Sequence, residues 1–362
     1  MRIAQLTFDH QPVSARSNHA IFSHVGMLTD SMQDLGNDLS LYGAGDSKVK
    51  GEVHSVVDTA TDLRNIPQDL HKLYRHLLIS KCYNNAGKFD IIHSHYTLMS
   101  SYYANLVDTP TVSSIHSPIR PEIVPIMKHF KNNRYISFSL AQRKQMPDLN
   151  WIANIYHGID TELFSYNAVP DDYFFYIGRI TEDKGVHLAI EAATKANTKL
   201  IIAGRSYIDE GYWQSQIEPR IDGEQIIYVG EADLERKIEL YRHARALIFP
   251  TQYDEVFGLV MIEAMSCGTP VIGWNSGSVS EVLQDNKTGF VVDSLKDMVQ
   301  AMKKIDTIKR QDCRERVERY FSVEKMVSGY LKVYQRVIDD WSFKKDKILL
   351  TNPYTRSRTN GK

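Results

Sequence analysis

Short apolar runs alternate with longer amphipathic segments along most of the chain. In the first half, the run RIAQLTF predicts a strand, AIFSHVGMLTDSMQDLG predicts a helix that ends near Gly36, and DLSLYG predicts the next strand. Four more apolar runs that end in polar or small residues also predict strands: FDIIHSH, TVSSIHS, RYISFS and WIANIYHG. Strands that alternate with helices in this way are typical of a doubly wound parallel sheet.

A polar stretch at residues 160–172, DTELFSYNAVPDD, interrupts this alternation and predicts a linker. The alternation then resumes, with strands predicted at YFFYIG, KLIIAG, QIIYVG, ALIFPT, TPVIGW and TGFVVD. We therefore expect two α/β domains, at residues 1–165 and 170–325, whose strand ends face a common cleft. We also expect a helix at residues 326–345 that packs back across both domains, and a disordered tail at residues 350–362.

The composition is that of an ordinary soluble globular protein, with 43% hydrophobic and 24% charged residues in a chain of 362. Lys and Arg together number 43 and Asp and Glu 44, so no net charge favours a nucleic-acid partner. The start of the chain lacks the apolar region of a secretory signal. The three scattered cysteines indicate a reducing compartment, and we expect a cytoplasmic protein.

Polar side chains follow several of the predicted strands. The ligands of doubly wound sheets bind beyond the carboxyl ends of the strands. One buried histidine is usually structural, but several at strand ends indicate a cleft. The polar residues at these ends in the first half are Asp9, His10, His93, His95, His116, Ser139 and His157.

Two pairs of charged residues in the second half indicate a site for a phosphorylated ligand. Glu255 and Glu263 lie on either side of the predicted start of a helix near Gly258, whose free N–H groups suit a phosphate. Arg179 and Lys184 follow a strand and could neutralise a diphosphate. Ordinary alternatives are acids favoured by a helix dipole and charges on a solvated loop.

The longer motifs resemble glycosyltransferase family 4, which has the GT-B fold. The similarity rests on GRITEDKG, on IFPTQYDEVFGLVMIEAMSCGTPVIG, on GSVSEVLQDNKTGFVV and on VGEADLERKIELYRHARALIFP, with weaker similarity in the first half. The resemblance implies two Rossmann-like α/β domains facing a central cleft. It also implies a nucleotide-sugar donor, such as a UDP-, GDP- or ADP-sugar, transfer with retention of anomeric configuration, and no required metal or other cofactor.

The resemblance also implies roles for individual residues. Arg179 and Lys184 would stabilise the leaving diphosphate, and Glu255 would contact the donor sugar near the reacting carbon. Glu263 would accept hydrogen bonds from the ribose. Of the remaining residues, His116 is implied at the sugar, and Phe257, Gly258 and Leu259 are implied at the sugar and the diphosphate. Gly178, Gly230 and Glu231 are implied at the donor site along the strand ends of the second sheet, with Glu231 and Gly230 at the base.

The first domain departs from the family pattern. Relatives commonly have a Gly-Gly-Thr-Glu turn after the first strand, whereas this chain has NHAIF at residues 18–22. Phe22 stands where the acid is expected. We therefore assign the acceptor side to Asn18, His19 and His95. His157 stands where Asn is frequent.

The sequence leaves more than one function open. The leading interpretation is a glycosyltransferase that acts on an unknown hydroxyl acceptor in glycan, glycolipid or polysaccharide biosynthesis. The alternatives are a sugar phosphorylase or a nucleotide-sugar-hydrolysing enzyme, both of the same fold, and a catalytically silent sugar-nucleotide-binding protein. The segment PIRPEIVPIMKHFKNNRY, with Lys128, Lys131 and Arg134, is either a solvated basic helix or a peripheral contact with the inner face of a membrane.

Overall fold

Two parallel sheets organise the protein, which is described by a computed structural model covering residues 1–64, 66–67, 69–96 and 98–351. The expected tail therefore lies outside the described residues, apart from residues 350 and 351. The prediction of two parallel-sheet α/β domains is confirmed.

The first sheet has seven strands in the order β3-β2-β1-β4-β5-β6-β7. These strands are β1 Arg2–Leu6, β2 Asp38–Tyr42, β3 Glu52–His54, β4 Ile91–Ser94, β5 Thr111–Ser114, β6 Arg134–Ser137 and β7 Trp151–Asn154. The helices of this region are α1 Ala20–Asp34, α2 His71–Asn84, α3 Ser101–Ala104, α4 Val124–His129 and α5 Leu140–Lys144.

The second sheet has six strands in the order β10-β9-β8-β11-β12-β13. They are β8 Phe174–Ile177, β9 Leu200–Ala203, β10 Ile226–Tyr228, β11 Ala246–Phe249, β12 Val271–Trp274 and β13 Gly289–Val292. The helices are α6 Val186–Ala196, α7 Glu210–Tyr212, α8 Leu234–His243, α9 Leu259–Ser266, α10 Val279–Val282, α11 Leu295–Lys304, α12 Arg310–Tyr320 and α13 Val323–Thr351.

Helix α13 is the element that returns to the first domain. Its buried face packs with residues of β1, α1 and β4 in one apolar cluster, which includes Tyr330 and Tyr334. The helix extends to Thr351, beyond the expected end at residue 345, because residues 342–351, SFKKDKILLT, contain no proline or glycine. Most of the remaining second domain shares a separate core.

The chain passes between the domains twice, and the two passages lie side by side. The N–H of Ile159 donates to the carbonyl of Phe321 at 2.9 Å, and the N–H of Val323 donates to the carbonyl of Ile159 at 3.0 Å. Gly158 permits this approach, since a Cβ at that position would lie 2.4 Å from the carbonyl oxygen of Ser322.

Glu281 links the two domains. Its carboxylate accepts from the N–H groups of Leu140 and Ala141, at 2.8 and 2.7 Å, at the beginning of α5. The hydroxyl of Tyr156 also donates to it at 3.1 Å. The carboxylate is therefore engaged by the first domain.

We expect Glu281→Ala to lower the free energy of unfolding by about 2 kcal/mol, because charge-assisted hydrogen bonds across the domains are lost. Thermal and denaturant unfolding measure the change. Glu224→Ala is the control, because Glu224 is exposed and outside this contact. Equal destabilisation in the two variants would contradict the interdomain role.

Among the described residues, no helix combines the length and the apolar character needed to cross a bilayer. Arg134, which the sequence placed on a basic face, has its guanidinium 4.6 Å from the ring centroid of Trp341. This contact draws Arg134 toward α13.

Candidate active site

The charged residues of the second domain meet where the strand order of its sheet reverses. Strand β8 lies between β9 and β11, so the loops after β8 and β11 leave the sheet beside each other. The loop after β8 carries Arg179 and Lys184, and the loop after β11 carries Tyr253 and Glu255. The topology therefore brings together two segments that are about seventy residues apart in the sequence.

Lys184, Glu255 and Tyr253 form a compact ion-pair cluster. The Nζ of Lys184 donates to a carboxylate oxygen of Glu255 at 2.6 Å and to the hydroxyl of Tyr253 at 2.5 Å. The Tyr253 hydroxyl in turn donates to Glu255 at 2.8 Å. Burial and then the Glu255 charge raise the pKa of Tyr253, so its hydroxyl keeps its proton. The cluster presents one fixed cation and one fixed carboxylate.

Helix α9 begins immediately after this cluster. Gly258 precedes its first residue and has a φ of 79°, in the left-handed region that favours glycine. No side chain caps this end of the helix. The N–H of Met261 donates to the carbonyl of Gly258 at 3.0 Å, whereas the N–H groups of Leu259 and Val260 have no partner within the helix, so this end can accept an anion.

Glu263 occupies a second ion-pair cluster, on the second turn of α9. Its two carboxylate oxygens accept from Nζ of Lys237 at 2.9 Å and from the hydroxyl of Tyr241 at 2.8 Å. Both partners belong to α8, four residues apart, and so lie on one face of that helix. Burial, followed by the Glu263 charge, raises the pKa of Tyr241. The sequence analysis did not identify Lys237, Tyr241 or Tyr253.

Residues of these two clusters line two adjoining cavities between the domains. One, of about 350 Å³, is lined by Arg179, Lys184 and Glu255 from the second domain and by His116 and His157 from the first. The other, of about 230 Å³, is lined by Lys237 and Glu263. Residues that line both cavities are Asn18, Ala20, Ile177, Gly178, Leu259 and Val260. Together the two cavities form one elongated space that passes the beginning of α9.

The other donor-side residues expected from the sequence fall into two groups. Phe257, Gly258 and Leu259 line the larger cavity with Lys184. Glu231 instead accepts from Nε of Arg205 at 2.9 Å and from the Tyr207 hydroxyl at 3.3 Å. Gly230 and Glu231 are absent from the described residues that line the two cavities.

The residues assigned to the acceptor side have different environments. Asn18 lines both cavities. The Nδ1 atom of His19 accepts from the N–H of Ile21 at 3.4 Å and so caps α1. Phe22 is fully buried with Val13 and Val25, so this position belongs to the core of the first domain. His95 is only 1% exposed and is enclosed beneath His116, so it does not reach the open part of the cleft.

A cluster of histidines lies at the cleft side of the first domain. The Nδ1 of His95 is 2.7 Å from Nε2 of His116, and Nδ1 of His157 is 3.0 Å from Nδ1 of His24. His157 also stacks on Phe138, with ring centroids 3.9 Å apart. Ring nitrogens of His24, His95 and His116 lie within 4.8 Å of one another, which is one requirement of a metal site. The Nε2 atom of His24 is buried and has no hydrogen-bond partner among the described residues.

We expect the free energy of unfolding to fall when the pH is lowered from about 7 to about 5. Burial lowers the pKa of His24 to about 3, whereas histidine in an unfolded chain has a pKa of about 6.5. The unfolded chain therefore binds the proton first, so stability is full above about pH 6.5 and decreases below it.

One histidine that stays neutral in the fold lowers the free energy of unfolding by about 2 kcal/mol between about pH 6.5 and 5. Denaturant unfolding at both pH values measures this loss. His24→Asn is the control and should show a smaller decrease. An undiminished decrease in that variant would contradict the role of His24.

Comparison with known proteins finds relatives of this chain among glycosyltransferases. Residues 160–321 match the family described as glycosyl transferases group 1. An uncharacterized glycosyltransferase of Methanocaldococcus jannaschii is 23% identical over 347 residues, which cover 87% of this chain and 94% of that protein.

Two solved structures share the fold. AviGT4, a glycosyltransferase involved in avilamycin A biosynthesis, has a TM-score of 0.72 and 21% identity, covering 93% of this chain and 98% of that chain. Anabaena HepE in complex with UDP-glucose has a TM-score of 0.67 and 16% identity, covering 94% and 99% of the two chains.

These findings confirm the GT-B arrangement of two Rossmann-like domains. The glycosyltransferase domain at residues 160–321 and the named glycosyltransferase relatives identify the chain as an enzyme of the glycosyltransferase class. The two ion-pair clusters and the beginning of α9 all lie within that matched segment.

Proposed function

We propose that this protein is a retaining family 4 glycosyltransferase that transfers a sugar from a nucleotide-sugar donor to a hydroxyl acceptor without a metal ion. The observation that carries the proposal is the elongated space between the domains, which joins the Lys184–Glu255 cluster to the Glu263 cluster across the beginning of α9. A nucleotide sugar has a matching order of groups: sugar, diphosphate and ribose.

The proposal assigns one part of the donor to each part of this space. The sugar lies near Glu255 and His116, a carboxylate-bearing and an imidazole-bearing residue that both line the larger cavity. The diphosphate lies at the beginning of α9, beside Lys184 and Arg179. The ribose lies at Glu263, where its hydroxyls take the place of a present hydrogen-bond partner of the carboxylate.

Departure of the diphosphate is the step that these residues assist. As the bond from the anomeric carbon to the phosphate oxygen breaks, negative charge grows on that oxygen. Lys184 and Arg179 stabilise this charge more than they stabilise the intact donor. The acceptor hydroxyl attacks from the face that the diphosphate leaves, and a phosphate oxygen takes its proton. Anomeric configuration is thereby retained, and no protein nucleophile is needed.

The mechanism supplies a reason for the proposed metal independence. The two cations and the free N–H groups of α9 can together balance the charge of a diphosphate. The UDP-glucose complex of Anabaena HepE, which shares the fold, makes a nucleotide sugar the first donor to test. The proposal assigns Asn18, which lines both cavities, to the acceptor side. It also includes a peripheral contact with a membrane, to which no residue is assigned.

A panel of UDP-, GDP- and ADP-sugars tests the proposal. We expect one donor to raise the midpoint of thermal unfolding, because a ligand that binds only the folded state stabilises it. The same donor should release its nucleoside diphosphate in the presence of a chelator, with a product whose NMR couplings show the donor's anomeric configuration. Binding without release at any acceptor would indicate a silent binding protein. Release only with added metal would overturn the metal-free mechanism.

A further inference from the structure

A buried polar network connects helix α13 to His116 in the wall of the cleft. Gln5 on β1 and His93 on β4 are register partners on neighbouring strands. His95 follows β4, and Tyr334 reaches the same point from α13. All four side chains are at most 1% exposed, whereas His116 is partly buried and lines the larger cavity. The network therefore leads from the fully enclosed core to the cleft.

The contacts form a continuous series. His116 Nε2 lies 2.7 Å from His95 Nδ1, and His95 Nε2 lies 3.1 Å from Gln5 Oε1. Gln5 Nε2 donates to the Tyr334 hydroxyl at 3.4 Å, and that hydroxyl is 2.6 Å from His93 Nδ1.

The chemistry of the groups sets the direction of the hydrogen bonds that join Gln5, His95 and His116. The amide oxygen of Gln5 can only accept, so His95 must carry its proton on Nε2. A neutral imidazole has one N–H, so His95 Nδ1 accepts. His116 must then donate from Nε2, and its other nitrogen, Nδ1, has no proton.

Tyr334 keeps Gln5 in the orientation on which this direction depends. We take His93 to carry its proton on Nε2, which lies 2.8 Å from Ser114 Oγ, so that the Tyr334 hydroxyl donates to His93 Nδ1 and its oxygen accepts from the Gln5 amide. Without that hydroxyl, the amide loses the partner that distinguishes its oxygen from its nitrogen. A reversed amide would donate to His95 Nε2 and would invert the tautomers of His95 and His116 together.

The distances favour hydrogen bonding over metal ligation in this cluster. Two nitrogens bound to one tetrahedral zinc at about 2.0 Å are separated by about 3.3 Å. The nitrogens of His95 and His116 are 2.7 Å apart, which is the spacing of a hydrogen bond. Burial, followed by the charges of the neighbouring histidines, also lowers the pKa of His95 and of His116, so both rings are neutral at neutral pH.

We propose that Gln5, His95 and Tyr334 are positioning residues that fix the tautomer of His116, so that Nδ1 accepts a hydrogen bond from a hydroxyl group of the donor sugar. No described residue is hydrogen-bonded to Nδ1, and the ring lines the cavity that contains Glu255. The proposal about the sugar hydroxyl rests on the proposed function. The proposal about the tautomer rests on the network alone.

Nitrogen-15 NMR of the ligand-free protein, with labelled histidine, tests the tautomer directly. His116 is assigned by the signal that disappears in His116→Asn. We expect Nε2 to be protonated and Nδ1 to be unprotonated in the parent protein. Tyr334→Phe should show both tautomers of His116, because the orientation of Gln5 is no longer fixed. A parent protein with the proton on Nδ1 of His116 would overturn the proposal.

Tyr330→Phe is a matched control for Tyr334→Phe. Tyr330 lies one turn earlier on the same face of α13 and is equally buried. Its hydroxyl lies 3.1 Å from Ser114 Oγ, which in turn lies 2.8 Å from Nε2 of His93. Tyr330→Phe also removes one buried tyrosine hydroxyl, but it leaves the contacts from Tyr334 through Gln5 and His95 to His116 in place. We expect the two variants to lose similar stability, whereas only Tyr334→Phe should change the tautomer.

Kinetics with the donor identified above test the consequence for the sugar. Tyr334→Phe should lower kcat/KM about tenfold, the effect of one misdirected hydrogen bond, whereas Tyr330→Phe should stay close to the parent. Equal losses in the two variants would show a structural effect only and would overturn the positioning role. If no nucleotide sugar is turned over, the proposed function fails, and the NMR result still decides the tautomer.

Discussion

Lys184→Ala is expected to lower turnover at saturating nucleotide sugar by about 10²–10³-fold. In the free protein, the Lys184 ammonium is held 2.6 Å from Glu255 and 2.5 Å from the Tyr253 hydroxyl, with its side chain only 14% exposed. A cation that is already in place stabilises the charge developing on the diphosphate without reorganisation. Saturating donor removes the contribution of weaker binding, so the loss reports on the reaction step.

Two further variants separate this effect from a loss of folding. Lys195→Ala removes a lysine of α6 whose side chain is 56% exposed and pairs with Glu191 at the surface, so its turnover should equal that of the parent. Arg179→Ala should lower turnover with little change in stability. Its side chain is 53% exposed, and its ion pair with Asp183 is long, at 3.9 Å. Parent turnover in Lys184→Ala would contradict the proposed role.

Hydrophobic periodicity predicted most of the strands because most of these parallel strands are buried on both faces. The runs RIAQLTF, ALIFPT and TPVIGW each contain a strand whose residues are nearly all buried. Strand β3 was not predicted, since it has only three residues and none is buried. Helix α2 was not predicted either, because its buried residues, Leu78, Ile79, Cys82 and Tyr83, lie only in its second half.

The sequence indicated the charged residues of the second domain but not their partners. Glu255 and Glu263 stand in one continuous motif, so their spacing around Gly258 is visible locally. Lys237 and Tyr241 lie on another helix, and their approach to Glu263 depends on how α8 packs on α9. The pattern of α8 predicts an amphipathic helix, but a local pattern does not specify which residue lies opposite it.

In the first domain, too, local sequence patterns did not specify which residues are in contact in the fold. Phe22 occupies the position of an expected acid, yet the structure places its ring in the core, where it packs with Val13 and Val25. His95 follows a strand in the way that a cleft residue does, but it is buried between Gln5 and His116. Both outcomes depend on contacts between residues that are distant in the sequence, so strand-end position alone could not distinguish them.

Glu255→Gln and Glu263→Gln are expected to impair different steps. Glu255 lies beside the cavity that contains His116 and Lys184, where the proposed function places the sugar. Its replacement should lower turnover at saturating donor by about 10²-fold, because the reacting carbon is no longer held in position. Glu263 lies in the adjoining cavity, where the proposed function places the ribose. Its replacement should weaken donor binding about tenfold, because a hydrogen bond present throughout the reaction is lost.

The free nucleoside diphosphate distinguishes the two roles, because it contains the ribose and lacks the sugar. Calorimetric titration should show a lower affinity in Glu263→Gln and an affinity close to that of the parent in Glu255→Gln. Lys237→Met is the control for the ion pair: it removes the cation next to Glu263 and keeps the carboxylate that would bind the ribose. If Lys237→Met and Glu263→Gln lost affinity equally, the ion pair and not the carboxylate would be responsible. If Glu255→Gln alone lost affinity for the diphosphate, the two ends of the donor would be assigned in reverse, and the sugar would lie at Glu263.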